Sequence, residues 1–351
     1  DELLDAWASH ARASKAPVTS VLPPPYVHAP FCRQVSTLVV RQFVLTAKDP
    51  SVYVARIAMG LFMAIVVAIL YLKTREATQD QVAQRFINSF FFVSIPGLFT
   101  VISVVVSYFA YLNVKSEVQN GMYSPIAYVI AITIAEIPWM FAIAFVSLVP
   151  TYFILDWYWP KFWLVWLLMT TVVWVFDAIA QCLALNAHPV LACLNLIGIW
   201  FTWFLLSGAF VPPENVFWPA QAFSWTSPLR WALHSIMYVQ TFNGPNHSGA
   251  EICNVSDTCP NGFMCPKYHP NNCFGRTGEE ILSSVHIVYS VFDAEDHVAR
   301  DALIVLGMAM LFKAVFALGL IHKCRLGQSV VSSGAQAPGV VMELQEAADL
   351  Q

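Results

Sequence analysis

Residues 126–154 read IAYVIAITIAEIPWMFAIAFVSLVPTYFI, an apolar run interrupted by one ionisable side chain, Glu136. A helix needs about 20 consecutive apolar residues to cross about 30 Å of hydrocarbon, so this run is long enough to span a bilayer. Further apolar segments of the same kind predict spans at 52–72, 86–112, 162–185, 190–210 and 301–321. The sequence therefore predicts an all-α integral membrane protein with six transmembrane helices.

The composition agrees with a membrane domain and argues against other classes. Charged residues make up 11% and apolar residues 58% of the 351 residues, and the mean hydropathy is +0.60. An average soluble domain carries about 25% charged residues, so this chain has too few charges to cover a water-facing surface. The net charge is −4 and no basic block occurs, which argues against nucleic acid as a partner.

The segments that flank the spans differ from them in composition. Residues 1–30 are polar and proline-rich and begin with Asp1, which predicts a linker from an upstream domain of a longer chain. Residues 31–48 mix apolar stretches with basic side chains, which predicts an amphipathic connecting helix lying along a membrane surface. Residues 49–325 then hold the six-helix domain. Residues 326–351, rich in Gly, Ser and Ala, predict a flexible cytosolic tail.

The connection at 211–300, between the fifth and sixth predicted spans, indicates the orientation. It holds two glycosylation sequons and four cysteines, at Asn246, Asn254, Cys253, Cys259, Cys265 and Cys273. Clustered cysteines fit an oxidising compartment, so this large loop is predicted to be extracellular, disulfide-bonded and glycosylated, with both termini cytosolic. The spacing lacks the close Cys-x2–4-Cys pairs of structural zinc sites, so we predict disulfides and no metal.

Ionisable side chains within or beside the predicted spans are few: Arg56, Glu136, Asp177 and Lys313. An unpaired charge in hydrocarbon is costly, so such residues are functional candidates. We favour the simpler interpretation, in which Arg56 snorkels to a membrane face and the other three face the bundle, paired or neutralised. The sequence has no G-x4-G-K-[ST], G-x-S-x-G or H-E-x-x-H motif, so no catalytic residue is predicted in this chain.

Several short motifs follow one another along the chain. They are Arg41 with Lys48-Asp49-Pro50, Glu117-x3-Gly121-Met122-Tyr123-Ser124, Ala135-Glu136-Ile137-Pro138, Ser207-Gly208-Ala209-Phe210, Trp225-x-Ser227-Pro228-Leu229-Arg230-Trp231 and Cys273-x3-Thr277-Gly278-Glu279-Glu280. In this order they resemble the ABC-2 type transmembrane domain of the G-subfamily of ABC transporters. That subfamily includes the white, breast cancer resistance protein and pleiotropic drug resistance groups.

The resemblance implies roles for particular residues. It implies a substrate cavity between the second and fifth spans, lined by Phe90, Phe91, Ile95, Leu98, Phe99, Ile197, Phe201 and Phe204. It also implies a valve at Ala209 and Phe210, a coupling loop at Glu117, Gly121 and Tyr123, and disulfides Cys253–Cys273 and Cys259–Cys265. The alternatives are that the apolar stripes serve helix packing or lipid contact, that Glu117 is a solvated charge, and that a loop cysteine bridges two protomers.

The resemblance further implies the permease domain of an ATP-driven plasma-membrane exporter of lipids, sterols or amphipathic xenobiotics. Its partners would be membrane lipids, a nucleotide-binding domain that holds ATP and Mg on the same or a separate polypeptide, and a second transmembrane domain. That second domain would make a homodimer, a heterodimer or the other half of one chain. Two alternatives are a separately encoded ABC-2 permease for another lipid or a glycan, and a non-transporting membrane receptor or scaffold.

Overall fold

The computed structural model describes residues 29–75, 81–185, 188–242, 275, 278–289, 291–292 and 295–334, and this part of the chain is helical without a strand. The α-helices are α1 Phe31–Lys48, α2 Ser51–Leu70, α3 Val82–Leu98, α4 Val101–Gln119, α5 Pro125–Leu155, α6 Phe162–Ala184, α7 Pro189–Leu205, α8 Trp218–Ser224, α9 Pro228–Ile236, α10 Gly278–Val288 and α11 Val298–Gly334. A π-helical turn, Met237–Phe242, continues α9. The sequon asparagines Asn246 and Asn254 and the cysteines Cys253, Cys259, Cys265 and Cys273 lie outside the described residues.

Five described segments are long and apolar enough to cross a membrane: Ser51–Leu70, Val82–Gln119, Pro125–Leu155, Trp159–Ala184 and Val298–Cys324. The predicted fifth span, 190–210, corresponds to α7, which is only 17 residues long. Helix α7 ends at Leu205 because the chain then turns at Gly208, whose φ is +87°. This segment is therefore a shorter helix than the sequence predicted.

Two other segments differ from their predicted extents. The second predicted span, 86–112, is two helices, α3 and α4, that meet at Phe99 and Thr100. Pro96 inside α3 has no amide hydrogen to donate, and the Thr100 hydroxyl donates to the Gly97 carbonyl at 2.6 Å. At the other end of the chain, α11 continues to Gly334, into the segment predicted as a flexible tail.

Helix α6 lies at the centre of the core. Its segment has an apolar stretch of 18 residues of which 72% is buried, against 17–56% for the corresponding stretches of the other four long segments. The side chains of Met169, Val172 and Phe176 are fully buried there. Gly97 lets α3 approach closely, because a Cβ at this position would stand 2.6 Å from the Phe176 ring.

A chain of polar side chains crosses this core. The guanidinium of Arg56 on α2 donates at 2.8 Å to Asp177 on α6 and at 2.8 Å to Ser103 on α4. The ammonium of Lys313 on α11 donates to Glu136 on α5 at 2.6 Å. We call Arg56, Asp177, Glu136 and Lys313, together with Gln181 on α6, the buried polar chain.

Gln181 joins the two ion pairs into one network. Its amide nitrogen donates to Glu136 and, at 3.3 Å, to Asp177, and its amide oxygen accepts from Lys313 at 2.8 Å. Asp177 and Gln181 are four residues apart on α6 and therefore share one helix face. The pairing of Glu136, Asp177 and Lys313 expected from the sequence is confirmed. The expectation that Arg56 snorkels is wrong, because its side chain is 2% exposed and bound to a carboxylate inside the core.

We expect Asp177→Asn to destabilise the protein by about 3–5 kcal/mol, because Arg56 would keep a buried charge without a counter-ion. The matched control is Asp156→Asn, which removes an exposed ion pair with Arg75 whose atoms are 3.4 Å apart. That change should cost less than about 1 kcal/mol. Thermal and denaturant unfolding of the purified protein in nanodiscs measures both. Equal effects of the two substitutions would contradict a stabilising role for the buried pair.

Candidate functional site

A cluster of three side chains joins helix α1 to the turn between α4 and α5. The guanidinium of Arg41 donates two hydrogen bonds to the Glu117 carboxylate, at 2.7 and 2.6 Å. The Tyr123 hydroxyl donates to the same carboxylate at 2.5 Å. Such a two-bond arrangement fixes the relative orientation of its partners more strictly than a single contact does. We call Arg41, Glu117 and Tyr123 the α1 clamp.

The backbone between α4 and α5 is shaped to present the clamp. Gly121 has φ +73°, in the left-handed region that glycine adopts without strain, and it closes the end of α4. Ser124 caps α5 by accepting from the amide of Ala127 at 3.2 Å, and the Ser124 amide donates to Gln34 of α1 at 3.0 Å. The structure thus places Glu117, Gly121 and Tyr123 in one turn against α1. Sequence reasoning missed Gln34, because no pattern distinguishes one glutamine on a helix surface from another.

The clamp keeps its protonation pattern at neutral pH. The hydrogen bond to Glu117 raises the pKa of Arg41, which is ionised in any case. Burial, followed by the hydrogen bond to Glu117, raises the pKa of Tyr123 above its ordinary value. Tyr123 therefore remains a hydrogen-bond donor, and Glu117 accepts from both partners.

At the end of the bundle opposite α1, the structure brings part of the predicted cavity lining into one aromatic cluster. The Phe90 ring of α3 lies 4.6 Å from Phe204 of α7 and 5.0 Å from Phe210, and the Phe204 and Phe210 rings are 5.2 Å apart. Phe91 lies 6.3 Å from Phe204, and Phe201 stacks on Phe204 at 6.4 Å. These centroid separations are typical of interacting aromatic pairs. We call these five residues the aromatic cluster.

The other predicted lining residues are spread more widely. Ile95 lines a small pocket between α2, α3 and α5, which Phe91 of the aromatic cluster also lines. Leu98 and Phe99 are half-buried near the α3–α4 junction, two helical turns beyond the cluster. Ile197 on α7 is 40% exposed. The predicted set thus does not form a single surface within one copy of the chain.

The two predicted valve residues stand where the aromatic cluster meets a larger cavity. Ala209 and Phe210, with Phe90, line a cavity of about 440 Å³ between the start of α3 and α10. The turn that carries them is held locally, because the Ser207 hydroxyl donates to the Phe204 carbonyl at 2.9 Å. Gly208 completes it, and a Cβ there would stand 2.5 Å from the Val291 side chain.

A comparison with protein families matches residues 33–241 to the model of the ABC-2 type transporter. The chain belongs to the ABC-2 type transporter family. The matched range contains both the α1 clamp and the aromatic cluster. A comparison with curated proteins gives no significant match.

Membership in the ABC-2 family, together with the long apolar helices, makes the chain an integral, multi-pass membrane protein and the membrane component of an ABC transporter. ABC-2 permease domains normally pair with nucleotide-binding domains and form dimers.

The Gly208 turn is sensitive to a single methyl group. We expect Gly208→Ala to destabilise this ABC-2 chain by about 1–3 kcal/mol, because alanine is strained at φ +87° and its Cβ would overlap Val291. Gly198→Ala on α7 is the control, since a Cβ there meets no atom within 4 Å. It should be neutral or stabilise by up to about 1 kcal/mol. Unfolding midpoints of the two variants in nanodiscs provide the comparison, and similar midpoints would contradict the strain argument.

The α1 clamp can be measured with a double-mutant cycle of Arg41→Ala and Glu117→Ala. We expect a coupling energy of about 0.5–1 kcal/mol, because Arg41 is 42% exposed and solvent screens the pair. The control cycle replaces Arg41→Ala by Arg33→Ala, an exposed arginine on the same helix. The effect of Arg33→Ala on the free energy of unfolding should add to that of Glu117→Ala, without a coupling energy. Additivity in both cycles would show that the clamp contributes no interaction energy.

Proposed function

We propose that this ABC-2 chain is the permease of an ATP-driven exporter of the G-subfamily type, which moves lipids, sterols or amphipathic xenobiotics out of the cytosol or the inner leaflet. The observation that carries the proposal is the aromatic cluster, centred on Phe90, Phe204 and Phe210, beside the cavity of about 440 Å³. The resemblance of the motif order to that subfamily supports it independently.

The lining of that cavity favours an apolar substrate. Its residues are apolar apart from the hydroxyl groups of Ser284 and Tyr289. A surface of this kind gains binding energy from buried area and ring stacking rather than from a code of hydrogen bonds. It suits flat or lipid-like molecules, which share apolar area and differ in polar detail.

The exposed side of α7 supports pairing with a second transmembrane domain. Its exposed large apolar side chains are Val190, Leu191, Leu194, Ile197, Phe201 and Leu205. A second copy facing this stripe would place two aromatic clusters on opposite sides of one slot. In this arrangement Ile197 and Phe201, which are exposed in one copy, become part of the lining that the sequence predicted.

The α1 clamp suits the transmission of movement from the nucleotide-binding domain. The clamp joins α1 to the turn between α4 and α5. A displacement of α1 therefore moves the turn, and a displacement of the turn moves α1. We place this end of the bundle in the cytosol with both termini, and ATP and Mg on the nucleotide-binding domain. The loop with Asn246, Asn254, Cys253–Cys273 and Cys259–Cys265 then faces outward from the plasma membrane.

Transport by the complete transporter in proteoliposomes tests the proposal. We expect ATP-dependent uptake of a fluorescent phospholipid or sterol into inside-out vesicles. Phe204→Ala should lower this uptake about tenfold or more, because an aromatic contact and its buried area are lost. Phe109→Ala, at an exposed ring on α4 outside the cluster, is the matched control and should leave uptake within about twofold.

The outcomes separate the proposal from its alternatives. ATP hydrolysis without uptake of any amphiphile, but with uptake of a glycan-linked lipid, would indicate an ABC-2 permease for glycans. The absence of both hydrolysis and uptake in a folded complex would indicate a receptor or scaffold. Equal loss in Phe204→Ala and Phe109→Ala would contradict the role of the aromatic cluster.

A further inference from the structure

A second cavity lies within the single copy of the chain, away from the aromatic cluster. It has a volume of about 220 Å³ and is enclosed by α1, α2, α4, α5, α6 and α11. Its most exposed lining residues, Leu45, Asp49 and Val106, mark its mouth between α1 and α4. Its floor includes Glu136, Asp177 and Gln181, so the cavity ends on the buried polar chain.

The polar groups that line this cavity include the Tyr128 hydroxyl. Tyr128 is 3% exposed and lines the cavity, yet its hydroxyl makes no hydrogen bond to any other described residue. A buried hydroxyl without a hydrogen-bond partner makes the folded protein less stable. Because it lines a cavity that also holds two carboxylates, the Tyr128 hydroxyl is available to a bound molecule.

The charges around the floor are balanced, which limits the kind of molecule that fits. Asp177 is paired with Arg56 at 2.8 Å, and Glu136 is paired with Lys313 at 2.6 Å. An ionic ligand would bring an unbalanced charge into a buried site, which is expensive. A neutral hydroxyl can instead accept a hydrogen bond from Tyr128 and donate one to a carboxylate oxygen, without changing the charge.

The walls between the floor and the mouth combine apolar side chains with polar ones such as Ser107. Val106 and Ala110 on α4, Ile132 on α5 and Phe316 on α11 all line the cavity. Pockets for drug-sized ligands measure about 300–1,000 Å³, so 220 Å³ holds a polar head and the adjoining part of an apolar body. The remainder of the molecule would leave through the mouth between α1 and α4.

We propose that this cavity binds a neutral amphiphile with a hydroxyl head, seated against Tyr128 and the carboxylates of the buried polar chain, with its apolar body between α1 and α4. The site is separate from the proposed transport slot. It requires neither ATP nor transport, so binding here and export stand or fall independently.

Photolabelling tests the site in the complete transporter in nanodiscs without ATP. The probe is decanol with a diazirine on its chain, and two matched probes carry a methyl ether or a trimethylammonium group in place of the hydroxyl. We expect the alcohol to label peptides containing Leu45 and Val106, and unlabelled decanol to compete better than decyl methyl ether. This comparison uses the unaltered protein and does not depend on the folding of any variant.

Two substitutions locate the interaction. Tyr128→Phe removes only the hydroxyl and should weaken alcohol labelling about three- to tenfold, the loss expected for one hydrogen bond, while ether labelling stays unchanged. Tyr152→Phe is the control, since it removes another buried, unpartnered hydroxyl that lies outside the cavity. Ala110→Trp should block labelling by filling the cavity, whereas Leu112→Trp, exposed on the same helix, should not.

Three results would overturn the proposal. Labelling spread over lipid-facing helices without enrichment at α1 and α4 would show that the cavity does not retain the alcohol. Equal competition by the alcohol and the ether would show that the hydroxyl is not recognised. Stronger labelling by the ammonium probe would assign the site to a cation attracted by Asp49 at the mouth.

Discussion

Hydrocarbon offers no hydrogen-bond partners, so every charged group inside a membrane domain must find its partner within the protein. In this chain that requirement is met by the buried polar chain of Arg56, Asp177, Gln181, Glu136 and Lys313. Its members come from four helices. Each contact offsets the free-energy cost of burying a charged or polar group, and a misplaced helix would leave that cost uncompensated. The network therefore specifies how α2, α5 and α11 are placed against α6.

The remaining features are arranged around this centre. Helix α6 is the most buried of the long helices, which leaves α1 and α7 at the periphery with exposed apolar side chains. Peripheral elements are free to contact other domains. We propose that the α1 clamp meets a nucleotide-binding domain and that the exposed apolar stripe on α7 meets a second permease. The cavity that ends on the buried polar chain has its mouth between α1 and α4.

Much of the architecture was predictable because span length and hydropathy are properties of the local sequence. The positions of the helices and the motif at Glu117, Gly121 and Tyr123 could be read directly. The break between α3 and α4, the end of α7 at Leu205 and the continuation of α11 could not. The first two depend on neighbouring elements, since Gly97 approaches Phe176 and Gly208 approaches Val291.

The sequence by itself determined that the chain is helical, lies in a membrane and contains a few intramembrane charges that need partners. Only the tertiary structure decided which partners they take. Arg56 binds Asp177, 121 residues away, and Lys313 binds Glu136, 177 residues away. The physical reason is that hydropathy acts on each segment alone, whereas a salt bridge depends on how helices rotate and pack against one another. The same reason explains why the predicted cavity residues divide among several surfaces.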